Sequence, residues 1–165
     1  MKKSQSGFTL VELVVVILIL GILSATALPR FMNVSKQAHE AAVAGASGGL
    51  GAGVALARAQ WIANGSTGAV IGVSGFGSGN VAVNTSGWPV GLDGTFNDAT
   101  DCSGIWYNVM QNPPTAADGA TIEDYEIDLN GATGCTFTYR PATSPTTMSI
   151  IYESTTGALA VDDVL

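Results

Sequence analysis

Gly7-Phe8-Thr9-Leu10-Val11-Glu12-Leu13-Val14-Val15-Val16-Ile17-Leu18-Ile19-Leu20-Gly21-Ile22-Leu23-Ser24-Ala25-Thr26-Ala27-Leu28-Pro29 is the stretch on which the fold turns. From Phe8 to Leu28 it runs 21 residues with a single charged side chain, Glu12. As an α-helix such a run is about 31 Å long, which matches the hydrocarbon core of a bilayer. Lys2 and Lys3 lie before it and favour a cytoplasmic start with the rest of the chain facing outward. Arg30 and Lys36 beyond it weaken that asymmetry without cancelling it. Two ordinary readings compete. One is a secretory signal with Ala25-Thr26-Ala27 as its small-residue cleavage site, and the other is a plain single-span anchor. Neither accounts for Glu12. A carboxylate inside a membrane segment is expensive and by default marks function, and this one lies one helical turn from Phe8.

Beyond this block the 165-residue chain is rich in Gly, Ala, Ser and Thr and poor in charge, so one modest domain follows the apolar segment. The net charge is −7, and its distribution is uneven. Five of the six basic residues precede residue 60, whereas beyond residue 65 Arg140 faces eleven acidic residues. A mildly basic stem thus carries an acidic head. Such a head lacks the basic surface that non-specific nucleic-acid binding requires, and direct nucleic-acid contact is not expected. The two cysteines, Cys102 and Cys135, lie on the outward side, where thiols oxidise. A bridge between them closes a loop that stabilises a small domain by roughly 3–4 kcal/mol in the chain-entropy picture. A metal site there lacks a second Cys or His at ligand spacing.

The run Gly7-Phe8-Thr9-Leu10-Val11-Glu12, behind a short basic leader and ahead of an apolar helix and Pro29, resembles the type III signal of type IV pilins and type II secretion pseudopilins. The resemblance covers roughly residues 1–35. It implies that a prepilin peptidase of the inner membrane cuts between Gly7 and Phe8 and that Phe8 becomes N-methylated. It also implies that Glu12 of an incoming subunit meets the new Phe8 amine of a neighbour in a growing filament. Gly21 and Pro29 match the positions between which the helix loosens in the family's filaments. Pro29 removes a backbone donor and crowds the preceding turn, so a kink or melted stretch is expected. A finer resemblance is to pilins of the mannose-sensitive haemagglutinin type. It rests on Pro29-Arg30-Phe31-Met32-Asn33-Val34, the Gly-Trp-Pro turn, and the run Cys135-Thr136-Phe137-Thr138-Tyr139-Arg140-Pro141 with its Thr-Gly hairpin.

The remainder reads as an α+β head. Phe31, Val34, Ala38, Ala42, Ala46, Leu50, Val54, Ala57 and Trp61 recur at three or four residues and predict one apolar stripe along a helix over 30–64. Gly45, Gly48, Gly49, Gly51 and Gly53 each cost about 1 kcal/mol against Ala, so that helix needs a sheet to lie on. Short strands are expected near Val70–Val73 and Val81–Val83, and a turn over Gly87–Gly91. A helix is expected over Ser103–Gln111 with Asp101 as its cap. Alternation at Tyr125–Leu129, Cys135–Arg140, Met148–Tyr152 and Leu159–Val161 predicts three or four antiparallel strands. The domains are therefore a leader at 1–7, a membrane and polymerisation helix at 8–29, an amphipathic helix at 30–64 and a pilin-like head at 65–165 bearing the Cys102–Cys135 disulfide.

No enzymatic constellation emerges. His39 has no nucleophile motif to serve, and the glycine-rich stretches lack the Gly-Lys-Ser/Thr ending of a phosphate loop. Asp93, Asp98 and Asp101 offer hard oxygen ligands, a weak Ca²⁺ candidate whose spacing is not that of an EF-hand, and no cofactor is expected. Trp61, Trp88 and Trp106 read as packing residues. The resemblance implies a non-enzymatic filament subunit that serves adhesion. Its partners are copies of itself, the prepilin peptidase, an inner-membrane assembly platform and, before assembly, the membrane. Its place is first the inner membrane and then the surface of a Gram-negative-type cell. Two alternatives stand beside it: a type II secretion pseudopilin, and a minor ligand-binding pilin at a filament tip. Mass spectrometry of the purified protein is expected to find methylated Phe8 at the N-terminus. A chain beginning at Leu28, after conventional cleavage, is the contrary result.

Overall fold

The computed structural model describes residues 8–119, 122–141 and 147–164. It contains helix α1, Leu10–Ala63, helix α2, Ala99–Val109, and seven strands. The chain divides into two compact units, the first ending at Ala38 and the second beginning at His39.

In the first unit α1 stays helical through Gly21 and Pro29, so the single chain has no melted stretch between them. Pro29 has no N–H, which leaves the Ala25 carbonyl without its usual donor. One turn earlier the Thr26 hydroxyl donates to the Leu23 carbonyl at 3.0 Å. Phe31 and Val34 of the expected stripe are 74% and 61% exposed, and Ala38 is exposed too. The apolar stripe begins only in the second unit.

There α1 buries Val43, Ala46, Leu50, Gly53, Val54, Ala57 and Trp61. Val43, not the expected Ala42, takes the lower position. These residues meet Cys102, Ile105, Trp106 and Val109 of α2 and the inward face of a five-stranded sheet. The order in that sheet is β3 (Ala116–Asp118), β4 (Tyr125–Asn130), β5 (Gly134–Tyr139), β6 (Thr147–Glu153), β7 (Ala158–Val164). The antiparallel register places Ile127 opposite Phe137 and Phe137 opposite Ile150, so one row of large side chains faces the helices. Each such side chain contributes about 1.5–3 kcal/mol by leaving water. Trp106 stacks at a tilt on Tyr125 and Phe137, with centroids 4.9 and 4.5 Å away. Burial pushes the phenols of Tyr125 and Tyr152 well above their ordinary range. The protonated Tyr152 hydroxyl donates to the Pro89 carbonyl at 2.9 Å.

The expectation of an antiparallel sheet changes at one edge, because β3 runs parallel to β4 and makes the sheet mixed. Ala116-Ala117-Asp118 has little strand propensity. It is held from outside its own sequence, by Thr115 bonded to Asp124 and by Tyr107. The expected turn at Gly87–Gly91 also moves. The turn is at 84–88, where the Asn84 carboxamide accepts from the Ser86 and Trp88 N–H groups. Pro89–Gly91 is strand β2, paired with β1 (Ala82–Val83). Gly87, at φ 80°, lies against the Trp61 ring, where a Cβ would come within 2.5 Å. The turn therefore needs glycine for its backbone and for its neighbour.

Helix α2 starts earlier than expected, and its N-cap is Asp98 instead of Asp101. Asp101 sits at the third helical position and accepts from the Asn97 and Asp98 N–H groups, which completes a capping box. The disulfide joins Cys102 of α2 to Cys135 of β5, both fully buried, with Cα atoms 5.6 Å apart.

The glycines of α1 divide by what they touch. A Cβ at Gly53 would lie 2.3 Å from the Val109 carbonyl oxygen, so this position lets the end of α2 approach the helix backbone. A Cβ at Gly48 would meet nothing within 4 Å. Gly53→Ala is expected to lower the stability of the detergent-solubilised chain by about 1–3 kcal/mol through overpacking. Gly48→Ala should raise it by about 1 kcal/mol through helix propensity. Thermal unfolding followed by near-ultraviolet circular dichroism checks both signs.

Candidate functional site

The N-terminal turn of α1 is built by its own sequence. Thr9 precedes the first helical residue and its hydroxyl accepts the Glu12 N–H at 3.3 Å. Glu12 reaches back: its Oε2 accepts the Thr9 N–H at 2.9 Å and the Thr9 hydroxyl at 2.7 Å. This is a reciprocal cap of the Thr-x-x-Glu kind, which satisfies two orphan donors of a helix start. The carboxylate is thereby held at the N-terminal end, where the helix dipole favours negative charge. Oε1 has no hydrogen-bond partner among the described residues. Gly7 lies outside the described residues, so the peptide bond expected to be cut is not placed. Phe8, the expected new N-terminus, is 79% exposed.

Around this polar turn the helix is bare. Leu10, Val11, Leu13 and every large apolar residue from Val14 to Leu23, with Leu28, are exposed. The segment is long and apolar enough to cross a membrane, and none of its most apolar window is covered by the rest of the chain. An exposed apolar surface of this extent marks a membrane or protein interaction site. Gly21 has open space about it, with nothing within 4 Å of a Cβ built there.

A second surface lies in the head. Ala42, Gly45, Ala46, Gly49, Ala52 and Gly53 of α1 line one wall of a groove of about 480 Å³, and the segment from Val109 to Pro114 lines the other. From Ala41 to Ala57 α1 carries no charged residue. A solvent-facing helix surface normally does.

The acidic loop carries the three carboxylates of the weak Ca²⁺ candidate. Asp93, Asp98 and Asp101 line one shallow pocket of about 270 Å³. Each carboxylate is already engaged by neighbouring donors. Asp93 accepts the Thr95 hydroxyl and N–H at 2.7 and 2.8 Å, bonds that hold its carboxyl below the usual range. Asp98 is lowered by its Thr100 hydrogen bonds against a smaller effect of burial. Asp101 completes the cap of α2. Among the described residues no group of three acidic, His or Cys side chains is arranged to hold a metal. His39 is half-buried, with Nδ1 3.1 Å from the Tyr139 hydroxyl and its ring tilted against that tyrosine. Trp61 and Trp106 are core residues, and Arg58 lies over the Trp88 ring at 4.4 Å.

Thr9 is the capping residue of this turn that reading for charge alone overlooks. Its signal is local: Thr three residues before Glu at the head of an apolar run. Thr9→Ala is expected to speed hydrogen exchange of the first-turn amides about fivefold in detergent micelles, and Thr9→Ser to leave it near wild type. Equal exchange in all three chains is the contrary result.

Comparison with known proteins agrees with this geometry. Residues 2–28 match the prokaryotic N-terminal methylation motif. The chain is 44% identical over 54 residues to the type IV narrow pilus major component PilA5 of Thermus thermophilus. That alignment covers 33% of this chain and 47% of the relative, so the match spans about half of that protein's length. No solved structure matches the chain.

Proposed function

We propose that this type IV pilin, whose methylation motif and helix-on-sheet fold are described above, is a structural subunit of a pilus filament. In this reading it is polymerised through its N-terminal helix and serves surface adhesion. The observation that carries the reading is Glu12, the one carboxylate on a helix segment that is otherwise apolar and uncovered. Such a segment is stable only in a bilayer or against other apolar helices. In a precursor it is held by the membrane. In a filament it is covered by copies of itself.

The cut between Gly7 and Phe8 is the switch. Before it, position 8 bears an amide; after it, an amine that is cationic in an apolar setting. A lone buried charge is costly, and a hydrogen-bonded pair is much less so. Glu12 is suited to receive that amine, because Oε2 already caps its own helix while Oε1 is unengaged by described residues. A subunit whose Phe8 amine finds the Glu12 of a neighbour is thereby set in register along the helix axis. The small, uncharged face of α1 in the head favours close approach of further subunits. Peptidase and assembly platform are the partners this route requires. The adhesive role rests on the resemblance to mannose-sensitive haemagglutinin-type pilins.

Glu12→Val separates the steps. It makes the segment more apolar, so insertion and cleavage after Gly7 should persist. Filament growth should fail, because the Phe8 amine would be buried without a partner. An immunoblot for processing beside a count of sheared surface filaments reads both. Normal filament yield from the fully processed variant would overturn the charge-pair mechanism.

A further inference from the structure

Asparagine is followed by glycine at two places in this chain, Asn64-Gly65 and Asn130-Gly131. The two pairs have the same local surroundings. Gly65 and Gly131 stand at φ 69° and 70°, and a Cβ built on either would meet nothing within 4 Å. All four residues are exposed. The pairs differ in how the fold holds them. Asn64 follows α1, and its carboxamide is tied at both ends: Nδ2 donates to the Ser74 carbonyl at 2.8 Å, and Oδ1 accepts from Gln60 Nε2 at 2.9 Å. The Gly65 N–H donates to the Ile62 carbonyl at 2.9 Å. Asn130 is the last residue of β4, where the hairpin turns towards β5. Its partner across the ladder is Gly134, which has no side chain to hold it. Among the described residues, neither the Asn130 carboxamide nor the Gly131 N–H makes a hydrogen bond.

This difference bears on a reaction that the chain can carry out on itself. Glycine has no Cβ to obstruct its own nitrogen, so that nitrogen can approach the preceding side chain. The Gly131 nitrogen gives up its proton and attacks Cγ of Asn130. A bond forms between that nitrogen and Cγ, the Cγ–Nδ2 bond breaks, and ammonia leaves with the proton from Gly131. Water then opens the cyclic imide. Opening at Cγ leaves aspartate, and opening at the main-chain carbonyl leaves isoaspartate. Nothing is oxidised or reduced. Attack requires a carboxamide free to swing over the backbone and a nitrogen free to leave its hydrogen bond. Asn130-Gly131 meets both conditions, and Asn64-Gly65 meets neither.

We propose that Asn130 is a self-modification site of the folded head, with water as its co-reactant, and that the hydrogen bonds about Asn64 spare the second pair. Each conversion adds one negative charge to a head that is already acidic, on an exposed hairpin, and the extent grows with time after folding. The isoaspartate branch also adds a methylene to the main chain just before Thr133. The carbonyl of Thr133 accepts the Ser154 N–H at 2.8 Å and the Ser154 hydroxyl at 2.7 Å, so the altered hairpin lies against the turn that leads into β7.

The test follows the full-length chain in detergent over time at mildly alkaline pH. Digestion at acidic residues puts Asn64 and Asn130 on different peptides, and mass spectrometry reads acid in place of amide on each. In the native chain Asn130 is expected to convert at least about tenfold faster than Asn64, the advantage that the hydrogen bonds about Asn64 create. In urea with a reductant the two rates should converge, because those bonds are gone. Gln60→Ala, which unties one end of the Asn64 carboxamide, should speed conversion at Asn64 and leave Asn130 unchanged. Asn130→Gln should stop acid formation on the hairpin peptide with an unaltered circular dichroism spectrum. An Asn130 that remains an amide, or equal rates at the two sites in the native chain, would overturn the proposal. So would a difference that persists in urea, because flanking sequence and not the fold would then set the rates.

Discussion

Twenty-one residues that can be solvated by neither water nor the rest of their own chain are the constraint on which the molecule depends. From Phe8 to Leu28 the helix has no covered face, so its stability is borrowed from a surrounding apolar phase. Inside such a phase one carboxylate carries disproportionate weight. Glu12 is held by the cap it forms with Thr9, which keeps the helix start ordered and the charge at the N-terminal end of the helix. The same short turn therefore closes the helix and, under the proposed filament reading, would receive the amine of a neighbouring subunit.

The head is governed by a different economy. Its core is small, and α1 reaches it through a face of Ala, Gly, Val and Leu in place of bulky residues. Small residues forfeit apolar area but allow close approach. At Gly53 the backbone of α1 comes against the last carbonyl of α2. What the helix lacks in side-chain volume is supplied by aromatic groups from the other layers, Trp106, Tyr125, Phe137 and Tyr152. The Cys102–Cys135 bridge crosses the same layer boundary, tying α2 to the middle strand of the sheet. A domain with little apolar area in reserve gains most from such a tie.

Comparison of particular elements shows how far local pattern reaches. The strands β4 to β6 were legible because alternating burial imposes a period of two on Tyr125, Ile127, Phe137, Ile150 and Tyr152. β3 was not legible. Its residues are weak strand formers, and its partners, Tyr107 and Asp124, lie elsewhere in the chain. Asp101 has the propensity of a cap, and so does Asp98 three residues earlier. In the structure Asp98 is the cap and Asp101 completes the box from the third helical position, packed closely against Gly91 of β2. Phe31 and Val34 fitted the helical period yet lie exposed, because periodicity records which residues share a face and not whether anything covers it.

Sequence by itself determined the parts whose physics is local. These are the apolar span, the carboxylate one turn from Phe8, the Thr9–Glu12 cap, and the alternation of three strands. Each depends on residues within a few positions of one another, where helical or strand geometry alone sets the distance. Tertiary structure decided the rest: the start of α2, the parallel strand at the sheet edge, and the division of α1 glycines into packed and open. Those depend on which distant backbone comes alongside. No spacing along the chain encodes that, because it is settled only when the layers pack.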